Sequence, residues 1–177
     1  MTMLKKIALT VALLVAALLL FATTKPDTFI VQRSLTIQAP PERIFPLLND
    51  FHNWSQWSPW EKLDTAVTRT YSGPASGVGA VYAWSGNKDV GSGRMEITES
   101  IPYTKITLAL DFLTPFETHN TTEFALLPSG DSTTVTWTMS GPNLYIGKVM
   151  SVFVSMDKMI GNDFVAGLAN LKAATEQ

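Results

Sequence analysis

The chain has 177 residues, 46% of them hydrophobic and 16% charged, with no cysteine and a formal net charge of −2. This is the size and apolar content of one globular domain with a real core, which excludes a disordered chain. With no basic run after the N-terminus a nucleic-acid interface is not expected, and without cysteine there are no disulfides, thiol chemistry or cysteine-linked lipid.

The first element is a targeting segment. "MTMLKK" precedes an uncharged apolar run from Ile7 to Ala22, interrupted only by Thr10, close to the roughly 20 residues that a bilayer span requires. Signal cleavage after Ala22 would place Leu20 where a small residue is wanted, whereas cleavage after Thr24 would place Ala22 there. The run meets the span rule better than the cleavage rule. Residues 1–26 are therefore expected to be a signal-anchor or signal peptide with its linker, and residues 27–177 the domain. Lys5 and Lys6 stay on the cytoplasmic side by the positive-inside rule, so the domain is expected on the extracytoplasmic, periplasmic side, or secreted if the segment is cut.

Beyond "TTKPD" the apolar period becomes two. In "FIVQRSLTI" Phe29, Val31, Leu35 and Ile37 share one face of a strand, and Arg33 stands among them. A guanidinium at that parity needs a carboxylate, backbone carbonyls or an anionic ligand, and a partner within the fold is the commoner solution. "APPERIFPLLNDF" supplies a proline at a helix start, Glu42 in the first turn and an apolar patch, with Pro46 limiting the helix to a short one. "HNWSQWSPWEK" follows, with Trp54, Trp57 and Trp60 at a spacing of three. Ser58, Pro59 and Glu61 read as a capping box that starts a new turn between Trp57 and Trp60.

Six strands are expected next: Val67 to Tyr71, Val78 to Trp84, Val90 to Glu99, Lys105 to Phe112, Thr118 to Leu127 and Thr133 to Met139. The separators "SGPASG", "SGNKD", "SIPYT", "LTPFE" and "PSGDS" carry turn chemistry, and alternation such as Ile106, Leu108, Leu110, Phe112 gives an antiparallel sheet with one wet face. After "GPN", the residues Val149, Phe153, Met156, Ile160, Phe164, Leu168 and Leu171 form one helical stripe, so a long helix is expected, bent near Gly147, Gly161 or Gly167.

Taken together, "RSLTIQAPPERIFPLLNDFHNWSQWSPW", "GVGAVYAWSGN" with "VGSGRMEIT", and "MDKMIGNDFVAGLANLK" resemble the START-like, or SRPBCC, helix-grip superfamily. That superfamily includes steroidogenic-acute-regulatory-related lipid-transfer domains, birch-pollen allergens and aromatic polyketide cyclases, and its label is polyketide cyclase/dehydrase and lipid transport. The blocks match most closely its bacterial members of unassigned function that carry an N-terminal membrane segment. The resemblance implies an α+β fold in which a curved antiparallel sheet of about seven strands wraps a long C-terminal helix, with two short helices after the first strand. It also implies an internal cavity for an apolar ligand.

In such a fold the inward face is both core and pocket wall. The candidate ligand-binding residues are Trp54, Trp57, Tyr82, Trp84, Met95, Ile97, Leu108, Phe112, Asn120, Phe124, Trp137, Phe153 and Met156. The tryptophans are expected chiefly as plugs of the core, since buried aromatics are mostly packing, with the sharper alternative that one or two of them line the cavity mouth. Asn120, with Thr118 and Thr122 on the inward parity fixed by Phe124 and Leu126, would orient a polar head group or emerge into solvent. Catalysis finds little support. His52 and His119 show no metal-ligand spacing, and Glu96, Asp111 and Glu123 take the outward parity. "DVGSGRM" has no following helix or lysine and is no phosphate loop, so neither metal nor cofactor is expected. Three functions remain open: a membrane-tethered domain that binds or carries a lipid-like or aromatic molecule, a polyketide-cyclase-like enzyme, and an envelope adaptor with a closed core that binds a protein partner.

Overall fold

The computed structural model describes residues 2–114 and 116–176. Helix α1, Met3–Ala22, leads through residues 23–27 to strand β1, Thr28–Ile37. Helix α2, Pro41–Asn49, and two short 3₁₀ segments, Phe51–Gln56 and Pro59–Lys62, follow. Strands β2 (Thr68–Ser72), β3 (Val81–Ser85), β4 (Ser92–Ile101), β5 (Lys105–Thr114), β6 (Thr118–Ser129) and β7 (Ser132–Pro142) then form a meander, and helices α3, Tyr145–Ser151, and α4, Met156–Thr175, complete the chain. All seven strands make one antiparallel sheet in the order β1-β7-β6-β5-β4-β3-β2.

The alternation read from the sequence becomes rows across the inner face. One row joins Ile97, Leu108, Thr122, Met139 and Val31, and the next joins Ile106, Phe124, Trp137 and Arg33. A bulge at Thr98, where the register slips between Ile97 and Glu99, increases the local twist and curls the β4 side of the sheet. Strand β3 starts three residues later than expected, at Val81 rather than Val78, because Gly77 and Gly79 take φ of +76° and +87°, outside the extended region.

The C-terminal stripe is not one continuous helix. It breaks at residues 152–155, and none of the three glycines lies at the break. Ser155 caps α4, its Oγ accepting from the Lys158 N–H at 3.3 Å, and this competing local hydrogen bond starts a second helix. Two of the glycines instead permit close packing. A Cβ on Gly167 would lie 2.7 Å from Cζ3 of Trp137 and 3.1 Å from Cδ of Pro59, and one on Gly161 would lie 2.1 Å from Nη2 of Arg33. α4 packs chiefly on β1, with further contacts to β7, α2 and both 3₁₀ segments. Arg33 finds its partner there: Nη1 and Nη2 meet Asp157 at 2.7 and 3.1 Å, so β1 and the first turn of α4 are tied by a bidentate pair.

The tryptophan segment has a specific task. The last four carbonyls of a helix lack intrahelical donors, and in α2 these belong to Pro46, Leu47, Leu48 and Asn49. They accept from Asn53 Nδ2 at 3.1 Å, Trp57 Nε1 at 2.9 Å, Trp54 Nε1 at 3.1 Å and the Gly77 N–H at 3.0 Å, in that order. Both indoles then pack edge-to-face with Phe124, Trp57 does so with Trp137, the two indoles meet each other tilted by 55°, and Trp60 meets Trp137 and Phe164 edge-to-face. The expected capping box at Ser58 does not form. Glu61 turns to Arg69, Nε to Oε2 at 2.7 Å, and accepts from the Tyr82 hydroxyl at 2.9 Å, clamping the second 3₁₀ segment to β2 and β3.

This packing can be tested at two positions. Trp57→Phe leaves the Leu47 carbonyl without its donor and should lower the unfolding free energy by about 2–4 kcal/mol in denaturant titrations. Gly167→Ala, worth roughly 1 kcal/mol in helix propensity, should nevertheless destabilise the fold, because the added methyl meets Trp137 and Pro59; an unchanged or higher midpoint would show that α4 can shift away.

Candidate functional site

The inner face of the sheet is a trough whose packing loosens towards one end. In the two rows described above the buried side chains are 0–3% exposed, apart from Met139 at 7%. Below them Leu126, Val135 and Ile37 close the far end. The row above, Tyr82, Met95, Leu110, Asn120, Gly141 and Phe29, keeps 7–8% exposure at four positions, and Phe29 is half-buried. The topmost row ends in half-buried Trp84 and Phe112. This gradient follows from where the helix cover stops. α4 is tied to the sheet at the level of Arg33, in the fourth row, by its first turn, and its first apolar residues, Met156 and Ile160, are only half-buried against the core.

Two glycines shape the open end. A Cβ on Gly93 would stand 2.5 Å from Cη2 of Trp84, so the indole lies across the backbone of β4, with its Nε1 donating to the Val90 carbonyl at 3.1 Å. Trp84 meets Phe112 edge-on at 5.8 Å and stacks with Tyr82 at 6.0 Å. A Cβ on Gly141 would stand 2.0 Å from Oδ1 of Asn120 and 3.1 Å from the Phe29 ring. Asn120 donates from Nδ2 to Thr118 Oγ1 at 3.3 Å, but its Oδ1 is buried without a hydrogen-bond partner among the described residues. The other such atom is Nε1 of Trp137, deep in the aromatic cluster. An unpaired amide carbonyl at the trough mouth is an acceptor for a ligand hydroxyl or N–H.

The thirteen candidate residues thus separate into three sets. Trp84, Met95, Phe112, Asn120 and Tyr82 lie in the two upper rows, and Met156 is half-buried at the start of α4. Trp54, Trp57, Ile97, Leu108, Phe124 and Trp137 lie in the dense part of the core, where each is at most 4% exposed. Phe153 belongs to neither: the helix break carries it to the surface, 71% exposed. Phe29, Ile160 and the two glycines complete the mouth. Phe29 is legible from the parity of β1, but the glycines give no sequence signal beyond a break in alternation.

The titratable groups are held in ion pairs rather than aimed into the trough. Arg94 bridges Glu96 at 2.8 Å on the outer face, and His119 Nδ1 lies 2.8 Å from Asp111, which raises the His119 pKa. Burial, reinforced by the bond to Glu61, pushes the Tyr82 hydroxyl well above the usual phenol range and keeps it protonated. Hydrogen bonds from Arg33 hold the Asp157 carboxyl below its ordinary value. Among the described residues no group of three His, Cys, Asp or Glu side chains converges as a metal site.

Two clefts lie outside the trough. One of ≈ 250 Å³ is lined by Phe51, His52, Tyr71 and Gly73, and one of ≈ 370 Å³ by Phe45, Asn49, Asn53 and Tyr103. α1 is long and apolar enough to cross a membrane, with 6% of its apolar window buried.

Comparison with known proteins places this architecture. The di-domain ARO/CYC protein BexL from the BE-7585A biosynthetic pathway superposes with a TM-score of 0.63 at 16% identity, over 89% of this chain and 53% of that one. Major latex-like protein 151 from Panax ginseng gives 0.62 at 12% identity, covering 86% of this chain and all of its own (100%). The Aha1 dimer from Colwellia psychrerythraea gives 0.56 at 22% identity, over 84% and 96%. At these identities the likeness is one of fold, and the fold is the helix-grip. No curated protein matches the sequence. Residues 28–176 match the family described as polyketide cyclase / dehydrase and lipid transport, and the chain belongs to that family.

Proposed function

We propose that this protein is a membrane-anchored receptacle for a small apolar molecule, seated at the mouth of the trough. The observation that carries the reading is the loose end of the sheet. There Trp84, Phe112 and Phe29 offer half-buried apolar surface, with buried Met95 behind it, near the unpaired carbonyl of Asn120. Apolar walls with one convergent polar group are the composition of small-molecule sites. The family description supports an apolar ligand, though it spans both chemistry and transport.

Binding without chemistry is the better reading of this trough. General acid–base catalysis wants a group whose pKa is near the working pH. Near the mouth Arg69, Tyr71 and Tyr82 share the inward parity, and none suits that role: Arg69 and Tyr82 are both engaged with Glu61, and burial shifts the hydroxyls of Tyr71 and Tyr82 the other way. A closed-core adaptor is the second reading, favoured by the aromatic side chains that fill the lower trough. In both readings α1 serves as the anchor, with Lys5 and Lys6 on the cytoplasmic side and the domain across the membrane.

Native mass spectrometry with lipid extraction, on protein purified from its own envelope, separates the readings. The receptacle predicts a stoichiometric apolar ligand. It also predicts that Asn120→Leu weakens binding of a ligand carrying a hydroxyl or amide by roughly tenfold, the worth of one buried hydrogen bond, while leaving the unfolding midpoint equal or higher because an unpaired carbonyl is removed. Protein that stays empty against fatty acids, phospholipids and aromatic polyketides would transfer the assignment to the adaptor.

A further inference from the structure

The mouth of the trough and α1 lie at the same end of the domain. Residues 23–27 connect the apolar helix to the first residue of β1, and even fully extended that connection spans at most about 17 Å. It is shorter in fact, because the N–H groups of Thr23, Thr24 and Lys25 bond back to the carbonyls of Leu20, Phe21 and Ala22. α3 is fastened to the same junction. The Tyr145 hydroxyl donates to the Leu19 carbonyl at 3.1 Å, Asn143 donates from its side chain to Pro26 and from its backbone to Asp27 at 3.1 and 2.7 Å, and Lys148 pairs with Asp27. Lys25 rests over the Phe21 ring, 4.7 Å from its centroid, as an amphipathic side chain does where an apolar helix leaves the membrane.

The outward surface beside this junction is apolar. Leu144 just before α3, Ile146 and Met150 on it, Phe153 and Val154 in the connector to α4, and Phe116 at the β5–β6 tip are each 46% exposed or more. A soluble surface rarely concentrates large apolar side chains in one region. Phe112 pairs with Thr118 at the base of that hairpin, so its tip belongs to the mouth. The occupant is set by continuity: α3 is bonded to the last turns of α1, whose length and apolar surface fit a bilayer span, and on the anchor reading that surface is surrounded by lipid.

We infer that α3, the α3–α4 connector and the β5–β6 tip rest in the interfacial layer of the leaflet from which α1 emerges, so that the trough opens onto the bilayer and an apolar ligand passes between them without crossing water. This rests on the anchor reading of α1. It accounts for the helix break as well, since the break is what turns Phe153 away from the core.

The chain has no cysteine, so Phe153→Cys and Leu127→Cys each create a single labelling site on the full-length protein. Leu127 is an equally exposed control, 71%, near the opposite end of β6. Each variant is labelled with an environment-sensitive fluorophore and reconstituted in vesicles of phosphatidylethanolamine and phosphatidylglycerol, with part of the lipid brominated near the head of the acyl chain. The expected result is a blue-shifted emission at position 153 with quenching several times that at position 127. Equal, water-like signals from protein that remains with the vesicles after an alkaline wash would overturn the docking surface and leave the anchor standing. Protein removed by the wash would overturn the anchor, and the docking surface with it.

Discussion

Four carbonyls at the end of α2 decide how the domain closes. A helix terminus buried without donors would cost about 1–3 kcal/mol for each group left unpaired, and at the end of α2 the bond to the Leu48 carbonyl is buried and that to Leu47 part-buried. The chain answers with a 3₁₀ segment carrying Trp54 and Trp57, whose spacing of three places both indoles on one side of a three-residue turn. Both N–H groups then reach back to Leu48 and Leu47. Once they do, the rings have one place to go, against Phe124 and Trp137 of the sheet. Asn170 of α4 donates to the carbonyl of Trp57 at 3.1 Å, so the gripping helix is registered on the same segment.

Much of this architecture is legible in the amino-acid sequence. Strict alternation in β5 and β7 identifies the inward face, because a one-residue slip would expose every apolar side chain. Arg33 is recognisable as a misplaced charge, and its bidentate pair with Asp157 is the internal partner such a charge requires. What escapes is long-range or competitive. Glu61 fits the capping-box pattern, but Arg69 and Tyr82, brought near only by the sheet, bind it more strongly than one backbone N–H could. The stripe from Val149 to Leu171 keeps helical spacing across the break, since periodicity records faces and is blind to the backbone turn at residues 152–155. Gly161 and Gly167 look like weak points of a helix. They are the places where it approaches Arg33 and Trp137.

The candidate site is half legible for the same reason. Parity says which residues face inward but not how deep each one lies, so Trp137 and Trp84 are indistinguishable in sequence. Depth is set by where the cover ends. The pair between Arg33 and Asp157 fixes α4 over the lower rows, and the indole caps pack the 3₁₀ segments onto the same rows. The upper rows keep their apolar character without an equal share of the cover.

This division assigns different duties to the two ends of one core. The lower end is closed by interlocking aromatics and paired carbonyls, and it cannot open without exposing groups that have no other partners. The upper end holds the half-buried side chains of Phe29, Trp84 and Phe112, beside a short helix whose own exposed residues are apolar. Local opening follows the sparsest packing, so a ligand would enter by moving Trp84, Phe112 and the α3 region while the tryptophan cluster stays in place. With α1 read as an anchor, its short connection to β1 brings that same end to the membrane. A trough that opened at its opposite end would present its mouth to water, where an apolar ligand is least soluble. On the proposed anchor reading, the loose packing and the tether would serve one function only because they coincide.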